Sequence, residues 1–181
     1  VAALSLDPRV VATITSPRED EAPPQHVLAV TSDGYAFRFS LAPFAEASTR
    51  AGRRFARPAE GAEVVGVSLV TGRETIIVAT AEARALLCSV DEINFLSGPG
   101  KGVILIKIDP EEDHVLGFVA STGDRDLLTV ETSRGAQQTI STAKYEPTGR
   151  GGRGRELLQR GQFARVVPPP VEAPPPLEPR P

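Results

Sequence analysis

Three Gly-rich basic turns recur along the chain: Ala51-Gly52-Arg53-Arg54, Pro99-Gly100-Lys101-Gly102 and Gly151-Gly152-Arg153-Gly154. Glycine lets backbone N–H groups approach a phosphate and form an anion-binding concavity. A neighbouring arginine or lysine supplies charge, arginine as a bidentate fork. Aligned on Gly52, Gly100 and Gly152, the turns place Arg53, Lys101 and Arg153 at the next position. Around the last turn, Lys144, Arg150, Arg153, Arg155, Arg160 and Arg165 are offset only by Glu146 and Glu156, while Arg50, Arg53, Arg54 and Arg57 form a second cluster with no acid inside it. The acids lie elsewhere, at Glu19–Glu21, Asp109–Asp113, Asp124 and Asp126, so a chain of net charge −3 can still carry a basic rim. Arginine outnumbers lysine 17 to 3, as GC-rich coding produces, so that preference alone says nothing about phosphate. Read without further context, the turns are equally consistent with solvated loops.

Other chemistries find no residues to carry them. Glu111-Glu112-Asp113-His114 reads as a solvated turn, because adjacent residues cannot all converge on one ion. One cysteine and two distant histidines, His26 and His114, cannot build a structural zinc site. Gly98–Gly102 lacks the Walker spacing and its Lys-Ser/Thr ending, so no nucleotide is implied, and no cofactor of any kind. Cys88 lies in the apolar run Ala85–Val90 and reads as a small buried hydrophobe.

The elements that would position the turns follow from composition and periodicity. A chain of 181 residues and 40% hydrophobic content can bury a core. The net charge excludes a uniformly basic nucleic-acid binder, and 5% aromatics without tryptophan exclude a stacking platform for single strands. No apolar run is long enough to cross a membrane and no signal peptide is visible, so a cytoplasmic, nucleoid-associated location is expected. A first residue of Val1 and the lack of methionine suggest a fragment or domain. Abundant Val, Ile and Thr with many Gly and Pro predict short strands joined by tight turns. Three strand-turn-strand segments align, Val27–Arg38, Ile76–Leu87 and Leu127–Gln138, with Thr31, Thr80 and Thr132 in register at intervals of 49 and 52. Strands at Val10–Ile14, Val64–Ser68 and Val115–Val119 are expected before each unit. Ser32-Asp33-Gly34 predicts a hairpin turn with Gly34 at positive φ, and Val70–Arg73 and Ser121–Asp124 look similar. Arg155–Arg160 fits one helical turn, although the corresponding stretches of the first two repeats are strand-like. A period near 50 with such content means blade-like β units sharing a core. The boundaries expected are 8–57, 62–107 and 113–167 within a repeat region 1–167. Pro17–Gln25 reads as a mobile loop. The Pro-rich stretch 168–181 reads as an exposed, disordered tail, because proline lacks the ladder donor and fixes φ.

The segment Asp33–Phe44 resembles the hairpin of the C-terminal domain of DNA gyrase and topoisomerase IV A subunits, whose pattern is Gly, Tyr, apolar, Lys, Arg; here Phe37 stands in the Lys position and Arg38 in the Arg position. Arg84–Ile93, Gly98–Lys107 and Asp113–Gly117 look like a further repeat. Thr148-Gly-Arg-Gly-Gly-Arg-Gly154 is similar to the gyrase-A box, Gln-Arg-Arg-Gly-Gly-Arg/Lys-Gly, with Thr148 replacing Gln and Gly149 replacing the first Arg. The resemblance covers roughly residues 8–165. It implies an all-β, propeller-like β-pinwheel of about three four-stranded blades, where complete gyrase domains carry six, with a basic rim that bends or wraps double-stranded DNA. It further implies a non-catalytic module of an ATP-dependent type II topoisomerase (an isomerase), partnered by the ATPase B subunit as well as the rest of the A subunit. In this family a Tyr beside an Arg in a separate domain cuts DNA; Tyr35 and Tyr145 have no such neighbour here, and Tyr35 reads as a packing residue. The DNA-contacting set expected is Arg38, Arg50, Arg53, Arg54, Arg57, Lys101, Lys144, Arg150, Gly151, Gly152, Arg153, Gly154 and Arg155. With no recognition helix in view, contacts should go to phosphates. A protein-interaction propeller of kelch or chromosome-condensation-regulator type also repeats near 50 residues and is the alternative.

Overall fold

A computed structural model describes residues 26–44, 52–123 and 126–168. Arg50, the segments Val10–Ile14 and Pro17–Gln25, and the Pro-rich stretch from residue 169 on lie outside the described residues. The protein is an all-β pinwheel of three sheets, each centred on one of the hairpins read from the sequence. These hairpins are β1 (His26–Thr31) with β2 (Tyr35–Phe39), β4 (Thr75–Thr80) with β5 (Arg84–Ser89), and β8 (Leu128–Thr132) with β9 (Gln137–Ile140). Their turns share one construction. Gly34, Ala83 and Gly135 all have positive φ, at 82°, 54° and 81°, and donate to the carbonyls of Thr31, Thr80 and Thr132. This is the three-residue loop that ends in a left-handed residue. The threonine Oγ1 atoms then accept from the N–H groups of Tyr35, Arg84 and Ala136, which is why threonine recurs there.

No sheet is a continuous stretch of chain. β3 (Val64–Val70), β7 (Val115–Ser121) and β11 (Phe163–Val167) pair antiparallel with β1, β4 and β8, so each joins the hairpin that precedes it instead of opening the next unit. The turns at Val70–Arg73 and Ser121–Thr122 therefore carry the chain from one sheet to the next and close no hairpin. Two return strands complete the pattern. β6 (Val103–Ile104) follows the second hairpin yet pairs with β2, and β10 (Arg155–Glu156) follows the third yet pairs with β5. The sheet orders are β3-β1-β2-β6, β10-β5-β4-β7 and β11-β8-β9. Arg155–Glu156 thus takes the strand form, as its repeat position required.

Strand alternation divides the core into layers, since successive side chains face opposite sides of a sheet. Leu28 and Val30 of β1 meet Ile76, Val78, Leu86 and Cys88 of the second sheet. Ile77, Ala79, Ala85 and Leu87, on the other face of that sheet, meet Leu128, Val130, Ile140 and Phe163 of the third. Val27, Ala29, Phe37 and Phe39, on the opposite face of the first sheet, are buried with Leu41, Phe55 and Ala56. Cys88 is fully buried, and burial pushes its thiol up to about 12, as expected of a small hydrophobe.

Candidate nucleic-acid interface

The basic turns lead into the return strands, and the geometry at that junction explains their glycines. Gly102 and Gly154 immediately precede β6 and β10 and have φ of 85° and 72°. A Cβ on Gly154 would lie 2.7 Å from the carbonyl oxygen of Ala85, and one on Gly102 would run into the carbonyl of Ala36. Only glycine tolerates both the left-handed φ and that approach. Equivalent hydrogen bonds fix the repeat register: Arg57 N–H donates to Gly100 C=O at 2.9 Å, and Lys107 N–H to Gly152 C=O at 2.8 Å. This register corrects the sequence alignment. Gly52, with φ of 73°, corresponds to Gly102 and Gly154, two residues beyond Gly100 and Gly152, and buried Phe55 then corresponds to buried Leu105. Arg53 falls opposite Val103 and Arg155, and Lys101 opposite Arg153.

The turn at 148–154 splices the first two sheets. Thr148 N–H donates to Leu87 C=O and Gly151 N–H to Leu105 C=O, while Gly152 C=O accepts from Lys107. Arg150 is held tightly: its N–H donates to a Glu92 carboxylate oxygen, its Nε to Glu92 C=O at 2.8 Å, and its Nη1 to Ile104 C=O at 3.3 Å. Arg38 is engaged in a similar way, Nε donating to Ile93 C=O at 2.8 Å and Nη1 lying 3.2 Å from Asp91. Lys101 places Nζ 3.3 Å from a buried Asp33 carboxylate oxygen and 3.9 Å from the centre of the Tyr35 ring. Tyr35 is thus a packing partner for Lys101, in keeping with its expected role. Arg53 donates to Pro43 C=O.

The remaining expected cations face solvent. Arg54, Arg57, Lys144, Arg153 and Arg155 are exposed and make no ion pair among the described residues, while Glu156 beside Arg155 is drawn to Arg84 at 3.7 Å. Lys144 and Arg155 lie 5.4 and 5.7 Å from the Tyr145 ring, which packs against the layer between the second and third sheets. Two grooves of about 640 and 680 Å³ run between successive turns. The first is lined by Asp33, Tyr35, Lys101 and Lys107, the second by Lys107, Asp109, Glu112, Arg153 and Arg160. Lys107 was missed in the sequence. Its signal is there in retrospect: it follows Leu105-Ile106 as Arg57 follows Phe55-Ala56. Asp113 of the acidic turn is buried, its carboxylate accepting from the N–H groups of Glu82 and His114.

A family model described as "DNA gyrase C-terminal domain, beta-propeller" matches residues 25–71 and 74–121, together more than half of the chain. The chain belongs to the DNA gyrase C-terminal domain family. The DNA gyrase A protein of Staphylococcus epidermidis is 28% identical over 145 residues, covering 80% of this chain and 16% of the relative, so the chain spans a small part of that protein. Solved structures share the gyrase C-terminal fold. The C-terminal domain of DNA topoisomerase IV superposes with a TM-score of 0.70 at 20% identity, covering 87% of this chain and 53% of the other. A DNA gyrase A C-terminal domain gives 0.65 at 18%, covering 83% and 50%. The E. coli ParC C-terminal domain gives 0.65 at 20%, covering 87% and 69%. Among the described residues, no helix of this gyrase-family domain is long and apolar enough to cross a membrane.

Proposed function

We propose that this domain binds duplex DNA along its basic turns and bends it, presenting the duplex to the cleavage core of a type II topoisomerase. The observation that carries this reading is the pair Arg153 and Arg155. They flank Gly154 on a turn bonded to both of the first two sheets, stand exposed, and have no acid partner among the described residues. Such a turn presents its two charges from an ordered backbone, so that only the arginine side chains are ordered at binding. Phosphate contacts position a duplex and do not read its bases, so sequence preference should follow bendability. A nucleoid location and partnership with the remainder of the topoisomerase, its ATPase component included, belong to the same reading. Arg54 and Arg57 continue the basic path; Arg38 and Arg150, bonded to protein carbonyls, hold the turns that carry it.

The test is a duplex-binding titration across several salt concentrations, with DNA-circle closure to read the bend. Each phosphate contact contributes roughly one unit to the log–log salt slope. Arg153→Ala with Arg155→Ala should flatten that slope by about two, weaken all sequences alike, and leave stability within about 0.5 kcal/mol, because exposed charges contribute little to folding. Unchanged affinity, slope and closure in the folded double variant would refute the reading and turn attention to a protein-interaction propeller.

A further inference from the structure

We propose that Lys107 is the phosphate-contacting cation at the junction of the first and second sheets, in the place the sequence pattern allots to Lys101. The inference rests on the DNA-binding reading above and assigns one of its contacts. Lys101 and Lys107 both stand near this junction, and the structure treats them differently. Lys101 is half-exposed and already committed. Asp33 lies 3.3 Å away with its side chain only 8% exposed, and the Tyr35 ring lies beneath the ammonium. To meet a phosphate, Lys101 would leave a buried carboxylate without its counter-charge, which is costly. Lys107 is exposed and makes no ion pair among the described residues. Its backbone N–H is bonded to Gly152 C=O, so its Cα is fixed to the turn that carries Arg153. It lines both grooves, and in the second it stands with Arg153 and Arg160 beside the carboxylates of Asp109, Glu112 and Glu156. Arg57 occupies the same repeat position one unit earlier, with the same backbone bond to Gly100. A cation at this position therefore recurs at consecutive junctions, where a duplex following the rim passes from one sheet to the next.

The experiment compares Lys107→Ala, Lys107→Arg and Lys101→Ala in the same salt-series titration with a mixed-sequence duplex. Lys107→Ala should flatten the slope by about one unit and Lys107→Arg should restore it, since only the charge is required. Lys101→Ala should leave the slope unchanged while lowering the melting temperature, because the Asp33 carboxylate loses its counter-charge. An unaltered slope in Lys107→Ala, with salt-dependent binding intact in the unmodified protein, overturns the assignment and leaves the DNA reading standing. A slope flattened by Lys101→Ala instead of Lys107→Ala overturns it equally. No salt-dependent duplex binding by the unmodified protein overturns both.

Discussion

The second and third sheets share a hairpin, a turn and a register, yet the chemistry of one face separates them. On the second sheet, Ile77, Ala79, Ala85 and Leu87 point toward the third and are buried. The corresponding positions of the third sheet are Thr129, Glu131, Gln137 and Thr139, none of them buried, with Glu131 paired to Arg165 at 2.7 Å. The opposite face of the same sheet carries Leu128, Val130 and Ile140, all buried, with Gln138 half-buried opposite Val130. A repeat that must pack on both sides needs two apolar faces; one with a polar outer face acts as a cap. The strands agree with the faces. β2 and β5 each receive a return strand, whereas β9 has none among the described residues. Among the described residues, the third sheet thus presents a polar face where the second presents an apolar one.

The largest test of this contrast exchanges side chains at one repeat position. Ile77→Ala opens a void in the layer between the sheets and should cost about 2–5 kcal/mol in denaturant unfolding. Thr129→Ala, at the equivalent position one sheet later, should stay within about 0.5 kcal/mol. Similar losses at both sites would mean that the outer face of the third sheet is covered.

The connections into the two sheets give a second test. Glu74, buried in the turn before the second sheet, accepts from Thr71 N–H, Thr71 Oγ1 and the N–H groups of Gly72 and Arg73. Burial opposes its ionisation, but these hydrogen bonds outweigh burial and hold its carboxyl below the usual glutamate value. The folded value is depressed, so Glu74 stabilises the fold above the ordinary pKa, near 4.5, and that contribution fades as pH falls through the folded value. Glu74→Gln should therefore flatten the acid limb of the stability–pH curve and cost about 1–3 kcal/mol at neutral pH, from N–H groups left poorly paired. The turn before the third sheet, where the Asp126 carboxylate accepts from Thr122, has both bonds exposed to solvent, and Asp126→Asn should cost less in the same assay. An equal cost would erase the contrast between the connections.

The smallest expected effect concerns the Pro-rich stretch beyond the third sheet. Removing residues 168–181 should leave the melting temperature nearly unchanged, since a run of prolines cannot add ladder hydrogen bonds. A fall of many degrees would mean that this stretch packs on the cap, and would break the comparison at its base.

Local features were legible in the chain alone. The hairpins, their Thr-capped turns, the left-handed Gly34, and the alternation that sends Ile76 and Ile77 to opposite layers depend on residues within a few positions of each other. The Gly-rich basic turns were legible for the same reason, and so was the burial of Cys88. The sheet that each flanking strand joins is a matter of the whole fold. Ladder partners are set by non-local packing, so β6 could return across a whole hairpin to β2 with no mark in its own two residues. That return also decided how the turns align, because the left-handed glycines Gly102 and Gly154 lie where the chain grazes the preceding hairpin, not where charge follows. The fate of each cation was likewise tertiary. Arg38, Lys101 and Arg150 look like Arg153 in the chain, but Ile93, Asp33 and Glu92 reach them from 55, 68 and 58 residues away and take up their charge or their N–H groups. A side chain's partners are distributed over the fold, and its type alone cannot say whether its charge is spent inside or left for a ligand.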